Sequence, residues 1–170
     1  MDEESEIIFH EQQKFASWVY LVVLTSVILS LSIVGFAMKE EYVKGNPPDK
    51  GDYISLLIVL AIAIVFMILF MFLKMQTMVS SDSLYVRVFP FQIRYRKFTS
   101  QQISEAYYRR YRPIMEYGGW GIRYSLKHGR AYNARGNEGL QLILMDDKKI
   151  LIGSQKAEEL EKAVKHIIMH

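Results

Sequence analysis

The chain has 170 residues, about half of them apolar, and a formal charge of +3. It contains no cysteine, which excludes disulfides, thiolate metal sites and cysteine nucleophiles. Residues 1–73 hold 4 Lys and Arg against 9 Asp and Glu, whereas residues 74–170 hold 17 against 9, so an acidic, apolar first part is joined to a basic second part.

Residues 1–14, MDEESEIIFHEQQK, read as an acidic cytoplasmic segment. Ile7, Ile8 and Phe9 are placed at the start of an interfacial helix that runs into the first apolar stretch. An acidic start followed by so long an apolar run does not fit a signal peptide. Residues 15–38 carry no charge, and residues 53–73 carry no charge, proline or glycine. At about 1.5 Å per residue each covers roughly the 30 Å of a bilayer core. Apolar residues surround the second stretch, so it lacks the polar face of a surface helix. Both are expected to be transmembrane helices. Trp18 and Tyr20 suit an interfacial belt. Ser26, Ser30 and Gly35 offer a small surface for Ala61 and Ala63 of the second span. Gly45, Asn46, Pro47 and Pro48 break the helix inside a loop over residues 39–52, so the spans form an antiparallel hairpin.

Lys39, Lys44 and Lys50 lie in that loop, while Lys74, Arg87, Arg94, Arg96 and Lys97 follow the second span. This excess puts both termini on the cytoplasmic side of the cell membrane and the loop outside. Neither span contains an ionisable residue, so an anchor is expected in place of a transporter, channel or intramembrane protease.

From residue 80 the period becomes two. In SLYVRVF, Leu84, Val86 and Val88 share a face; in FQIRYRKF, Phe91, Ile93 and Tyr95 share one face and Gln92, Arg94 and Arg96 the other. Further strands are expected in ISEAYYRRY, GIRYSLK, RAYNA, LQLILM and KKILIG, with Asp146-Asp147 as a hairpin turn. Ser154 is the expected N-cap of a last helix over residues 155–169, whose apolar stripe is Leu160, Val164, Ile167 and Ile168. Glu158 and Glu159 near its start, and Lys165 and His166 near its end, agree with the helix dipole. The fold expected is thus membrane-anchored α+β: a two-helix hairpin, then a seven-stranded bent sheet sandwich or barrel over residues 80–170 with a C-terminal helix. This is the element count of a pleckstrin-homology (PH) domain.

Gly118-Gly119-Trp120-Gly121 lacks dinucleotide or P-loop spacing. These glycines either turn the backbone to seat a largely buried Trp120, or present it to a partner or ligand. His10, His128, His166 and His170 are scattered, and the i, i+4 pair His166 and His170 has no acidic third ligand in sequence, so no metal is expected. No paired-carboxylate, HExxH or Ser–His–acid pattern stands out, so no catalytic residue is assigned. Tyr107-Tyr108-Arg109-Arg110-Tyr111-Arg112 interleaves aromatics with cations as a single-strand nucleic-acid platform would, but no nucleic-acid motif accompanies it.

Residues 112–160, with the strings Tyr117-Gly118-Gly119-Trp120-Gly121-Ile122-Arg123, Ala131-Tyr132-Asn133, Gly136-Asn137-Glu138-Gly139 and Leu151-Ile152-Gly153-Ser154-Gln155, resemble a group of uncharacterised prokaryotic membrane proteins. In these a membrane hairpin is followed by a bacterial PH-like domain, and Phe9-His10-Glu11-Gln12-Gln13-Lys14-Phe15 is similar to their lead into the first span. The resemblance implies a fold and a location and carries no activity. PH domains that bind inositol phosphates have a basic residue on the first strand and a basic-x-Arg pair on the second, which Arg87 and Arg94-Tyr95-Arg96 resemble. Phe89-Pro90-Phe91 is shorter than the usual phosphate-cradling loop, and Arg stands where Lys is usual. Arg87, Arg94, Arg96 and Lys97 are therefore the candidate anionic-lipid face, against a generally basic membrane-facing surface or an ordinary solvated strand.

Three functions follow. The first is a non-catalytic membrane protein whose PH-like domain binds a membrane or cytoplasmic protein partner, as scaffold or assembly factor. The second is an anionic-lipid sensor, and the third an enzyme completed by a partner subunit. No cofactor and no nucleic acid are expected, and the oligomeric state is open.

Overall fold

The computed structural model describes residues 6–15, 17–47 and 49–169, with the backbone alone at residues 17–20. The acidic cluster in residues 1–5, the belt formed by Trp18 and Tyr20, Pro48 and His170 lie outside the described side chains. The chain forms two units, Ala16–Phe72 and the combination of Met1–Phe15 with Leu73–His170.

The first unit is a pair of helices, α1 (Ser17–Val43) and α2 (Lys50–Phe72). Both are long and apolar enough to cross a membrane, over Leu21–Val43 and Lys50–Phe72. Their large apolar side chains are mostly exposed, as at Leu21, Leu29, Phe36, Leu57 and Val65. Water would penalise that surface heavily, at about 25 cal/mol per Å². The helices extend beyond the expected spans at the loop side, which shortens the connection to residues 44–49. The small-residue seam expected at Ser26, Ser30 and Gly35 does not form. These three are exposed, and the half-buried positions of α1 are Val23, Val27, Leu31, Val34 and Met38. Their spacing of three or four residues traces one helical stripe. Ser26 and Ser30 instead donate their hydroxyls to Val23 O (2.8 Å) and Ser26 O (2.9 Å) within the helix. Ala63 lines the inter-helix cavity with Val23 and Val27, while Ala61 is exposed.

The second unit contains a four-stranded sheet, β1 (Ile7–Lys14), β2 (Lys74–Ser80), β3 (Ser83–Phe89) and β4 (Arg96–Thr99), paired in that order. It also contains a five-stranded sheet of β5 (Ile103–Arg110), β6 (Gly121–Ser125), β7 (Gly129–Asn133), β8 (Glu138–Leu144) and β9 (Lys149–Gly153), in the order β5-β8-β9-β7-β6. Its β7–β9 pair is parallel, and the other pairs are antiparallel. A short α3 (Pro113–Tyr117) joins β5 to β6, and α4 (Ala157–Met169) ends the chain.

Six of the seven expected strands are present, the one expected over residues 91–98 is reduced to β4, and two more precede them. The interfacial helix expected from Ile7 is instead β1, and the boundary expected at residue 80 moves to Leu73. In β1 the side chains of Phe9, Glu11, Gln13 and Phe15 are buried while those between them are exposed. This is strand alternation, but two of the four inward residues are polar, which disguises the period in a hydropathy reading. Glu11 accepts from Ser154 Oγ (2.6 Å) and from the Gln155 backbone N–H (2.9 Å), and Gln13 Nε2 donates to Gly153 O (2.9 Å). The N-terminal strand is therefore stapled to the segment between β9 and α4.

Ser154 acts through its neighbours. Its hydroxyl accepts from the Lys156 N–H at 2.9 Å, and α4 begins at Ala157, two residues later than expected. The helix buries Ala157, Leu160, Ala163, Val164 and Ile167, with Ile168 at the margin. It packs on β5 and β8 and also on β1 and β2. Leu140, Leu142, Ile152, Leu160 and Val164 are fully buried, while Leu151, next to Ile152 on β9, clusters with Tyr111, Tyr117 and Ala131. Each such side chain contributes about 1.5–3 kcal/mol relative to exposure.

Candidate functional site

The four basic residues expected to form one face are separated by the structure. The strand expected from Phe91 is a turn as far as Tyr95, and β4 begins only at Arg96. Arg87 is an internal brace: its Nε donates to Gln76 Oε1 (2.6 Å), one Nη donates to Ile93 O (3.2 Å), and the guanidinium lies 4.2 Å from the Tyr95 ring centroid. Arg94 is exposed in the turn. Arg96 and Lys97 are consecutive on β4 and so point to opposite faces. Lys97 lies over Tyr85 and reaches Asp82 at 3.4 Å, and the Tyr85 hydroxyl followed by Asp82 holds its ammonium above the usual range. Arg96 shares the face of buried Phe98.

That face opens into a groove of about 500 Å³ that sequence reading missed. Its walls are β4, the β6–β7 hairpin and the β8–β9 turn, which bring Arg96, Lys127, Arg130, Lys148 and Lys149 together against the single carboxylate of Asp147. Lys148 is paired with Asp146 at 2.6 Å. No ion pair engages Arg96, Lys127, Arg130 or Lys149 among the described residues. Tyr124 and Leu126 stand exposed beside these cations, Leu126 at 96% on the hairpin tip. The sequence signal was the placement of basic residues at two hairpin ends, but nothing in the chain said those ends adjoin.

The groove's hairpin is held from behind. The Tyr117 hydroxyl donates to His128 O at 3.2 Å, and the two rings lie 5.9 Å apart. Glu116 accepts from the Arg112 N–H (2.7 Å) and from Arg109, and one of its oxygens lies 3.8 Å from His128 Nδ1. Burial, then the positive charges of Arg109, Lys127 and Lys149, lower the His128 pKa from its ordinary value. With Glu116 occupied by Arg109, these residues brace α3 against the β6–β7 turn.

The glycine segment turns the backbone sharply between α3 and β6. Gly118 (φ 73°) caps α3 and donates to Ile114 O at 2.9 Å, and Gly119 (φ 123°) and Gly121 (φ 111°) also need positive φ. Trp120 is half-buried, not largely buried as expected, and its Nε1 donates to Gly136 O at 3.1 Å. Trp120→Ala is therefore expected to cost about 1–2 kcal/mol, below the roughly 3–5 of a fully buried aromatic. Thermal melts of the detergent-solubilised chain check this; a loss in the full range would mean the indole is a core residue.

The aromatic and cationic run on β5 is likewise engaged. Tyr111 is buried, which pushes its phenol up to about 12, Arg109 pairs with Glu116, and Arg110 pairs with Glu138 at 2.9 Å. Among the described residues no group of three or more His, Cys, Asp or Glu is placed to hold a metal ion.

No curated protein and no solved structure matches the chain. A family model matches residues 1–169, nearly the whole chain, with its two apolar helices and its two-sheet unit. The chain belongs to the family of unknown function DUF6141.

Proposed function

We propose that this chain is an integral protein of a prokaryotic cytoplasmic membrane, and that its two-sheet unit is a non-catalytic docking module for an acidic segment of a partner protein. The observation that carries this reading is the groove whose cations Arg96, Lys127, Arg130 and Lys149 make no ion pair among the described residues. Charge complementarity selects the partner and speeds its approach. A PH-like ancestry is supported by two sheets closed by one amphipathic C-terminal helix, although nine strands and a parallel pair enlarge that plan.

The full chain in phosphatidylcholine nanodiscs is expected to bind a fluorescent polyglutamate peptide. Lys127→Glu, Arg130→Glu and Lys149→Glu together should weaken binding about tenfold or more, equivalent to about 1.4 kcal/mol. Lys127 and Lys149 are exposed, and half-buried Arg130 makes no ion pair among the described residues, so melting should change little. Equal binding by parent and triple variant would sink the docking reading. Anionic lipid is the second reading, favoured by Tyr124 and Leu126 exposed beside the cations. Loss of peptide binding when phosphatidylglycerol replaces phosphatidylcholine would favour it.

The lysine and arginine excess after the second span supports cytoplasmic termini. Ser154 is fully buried and would resist a thiol reagent on either side, so Lys156, which is exposed, serves as the inner probe. In intact cells an impermeant maleimide should label Asn46→Cys and spare Lys156→Cys. The opposite pattern reverses the topology.

A further inference from the structure

The turn between β3 and β4 exposes two large apolar side chains, Phe91 at 65% and Ile93 at 77%, followed by exposed Arg94. It is also braced. The Gln92 N–H donates to Val88 O (2.8 Å), Arg87 holds Ile93 O (3.2 Å), and Arg87 in turn is fixed by Gln76 and Tyr95. A turn held this firmly presents its apolar tip at low entropic cost.

Register gives the tip an address. Lys14 pairs with Lys74, and Lys74 with Phe89, so these three residues form the last rung of the four-stranded sheet. From that rung the chain reaches α1 through Phe15 and Ala16 and leaves α2 through Leu73. The turn that follows Phe89 projects from the same end of the sheet. Connections of two residues and one residue reach at most about 11 Å and 7 Å. If the helices span a bilayer, this end of the sheet stays at its surface, and Lys14 and Lys74 sit at the depth where long cationic side chains reach headgroups.

We infer that Phe91 and Ile93 insert into the headgroup–acyl boundary of the bilayer that holds α1 and α2, with Arg94 facing lipid phosphate. This rests on the membrane-spanning reading above. Interfacial apolar side chains flanked by cations are the chemistry of such a surface. The inference adds a third attachment, which sets the sheet's end against the membrane and differs from the groove in both place and ligand.

The test uses the full, cysteine-free chain with one environment-sensitive nitrobenzoxadiazole label at a time, in phosphatidylethanolamine–phosphatidylglycerol proteoliposomes. Labels are placed at Ile93→Cys, at Leu57→Cys in α2, and at the exposed position Glu158→Cys on α4. The label at 93 is expected to emit to the blue of that at 158, to lose most of its emission to a lipid carrying a shallow nitroxide, and to resist iodide. Adding Phe91→Asp should restore iodide access at 93. If 57 is lipid-quenched while 93 remains open to iodide, the turn is solvated and the inference falls, with the membrane reading intact. If 57 also escapes lipid quenching, the membrane reading itself is overturned. Equal lipid quenching at 93 and 158 overturns the inference as well, since the label would then partition without the turn.

Discussion

Glu11→Ala is expected to destabilise the two-sheet unit by about 3–5 kcal/mol, because each hydrogen bond to a buried charge contributes about 1.5–3 kcal/mol. The Glu11 carboxylate receives both the buried Ser154 hydroxyl and the part-buried Gln155 N–H, and its removal leaves the Ser154 hydroxyl enclosed beside a space and takes the acceptor from the Gln155 N–H. Glu11→Gln keeps one carbonyl acceptor and should lose roughly half as much. The measurement is thermal or denaturant unfolding of the detergent-solubilised full chain, followed by near-ultraviolet signals from the sheet unit. Parent-like melting of both variants would mean that β1 is dispensable. The same reasoning applies to fragments. Residues 80–170 alone lack β1 and nearly all of β2, which supply Phe9, Met75 and Val79 to the core, and should not fold. Vesicle binding is therefore a property to measure on the whole chain.

Gly129→Ala is expected to cost at least about 3 kcal/mol, from backbone strain of about 1–3 kcal/mol and overpacking of similar size. Gly129 opens β7 at φ 77°, and a Cβ there would lie 2.1 Å from the Lys149 carbonyl oxygen. Backbone cannot move aside as a flexible side chain would. The parallel pairing of Arg130 with Ile150 begins one residue later, so the clash falls where β7 first meets β9. The groove is built on the same junction, and the variant should lose acidic-peptide binding along with stability. The charge-reversal variant is expected to separate these effects, because it removes binding while the melt is kept. A Gly129→Ala protein that melts like the parent would show that the β8–β9 turn yields and that the groove walls are pliable.

Four features of this protein could be read from local sequence. The apolar helices follow from uninterrupted hydropathy, since a bilayer core demands about 20 apolar residues in any context. The strands β3 and β5 through β9 follow from period-two runs and the turn residues between them, and α4 follows from a strong apolar stripe. The glycine turn before β6 was also local: positive φ at Gly118, Gly119 and Gly121 is a property of the backbone, and glycine meets it without strain.

What the tertiary structure alone decided depends on contacts remote in sequence. Ile7–Lys14 becomes a strand because β2, some 60 residues away, offers it an open edge and because Glu11 and Gln13 find partners 140 or more residues away. A polar residue can face a core when such partners exist, and no window of neighbouring residues contains them. Phe91 and Ile93 alternate as a strand would, yet Arg87, Gln92 and Tyr95 close the segment as a turn and leave both exposed. The cationic groove is of the same kind. Arg96, the 127–130 hairpin and the 148–149 turn are separated in sequence and meet only when the edge of one sheet lies beside the hairpins of the other. Long-range pairing chose the surface; the chain's local pattern supplied the elements that form it.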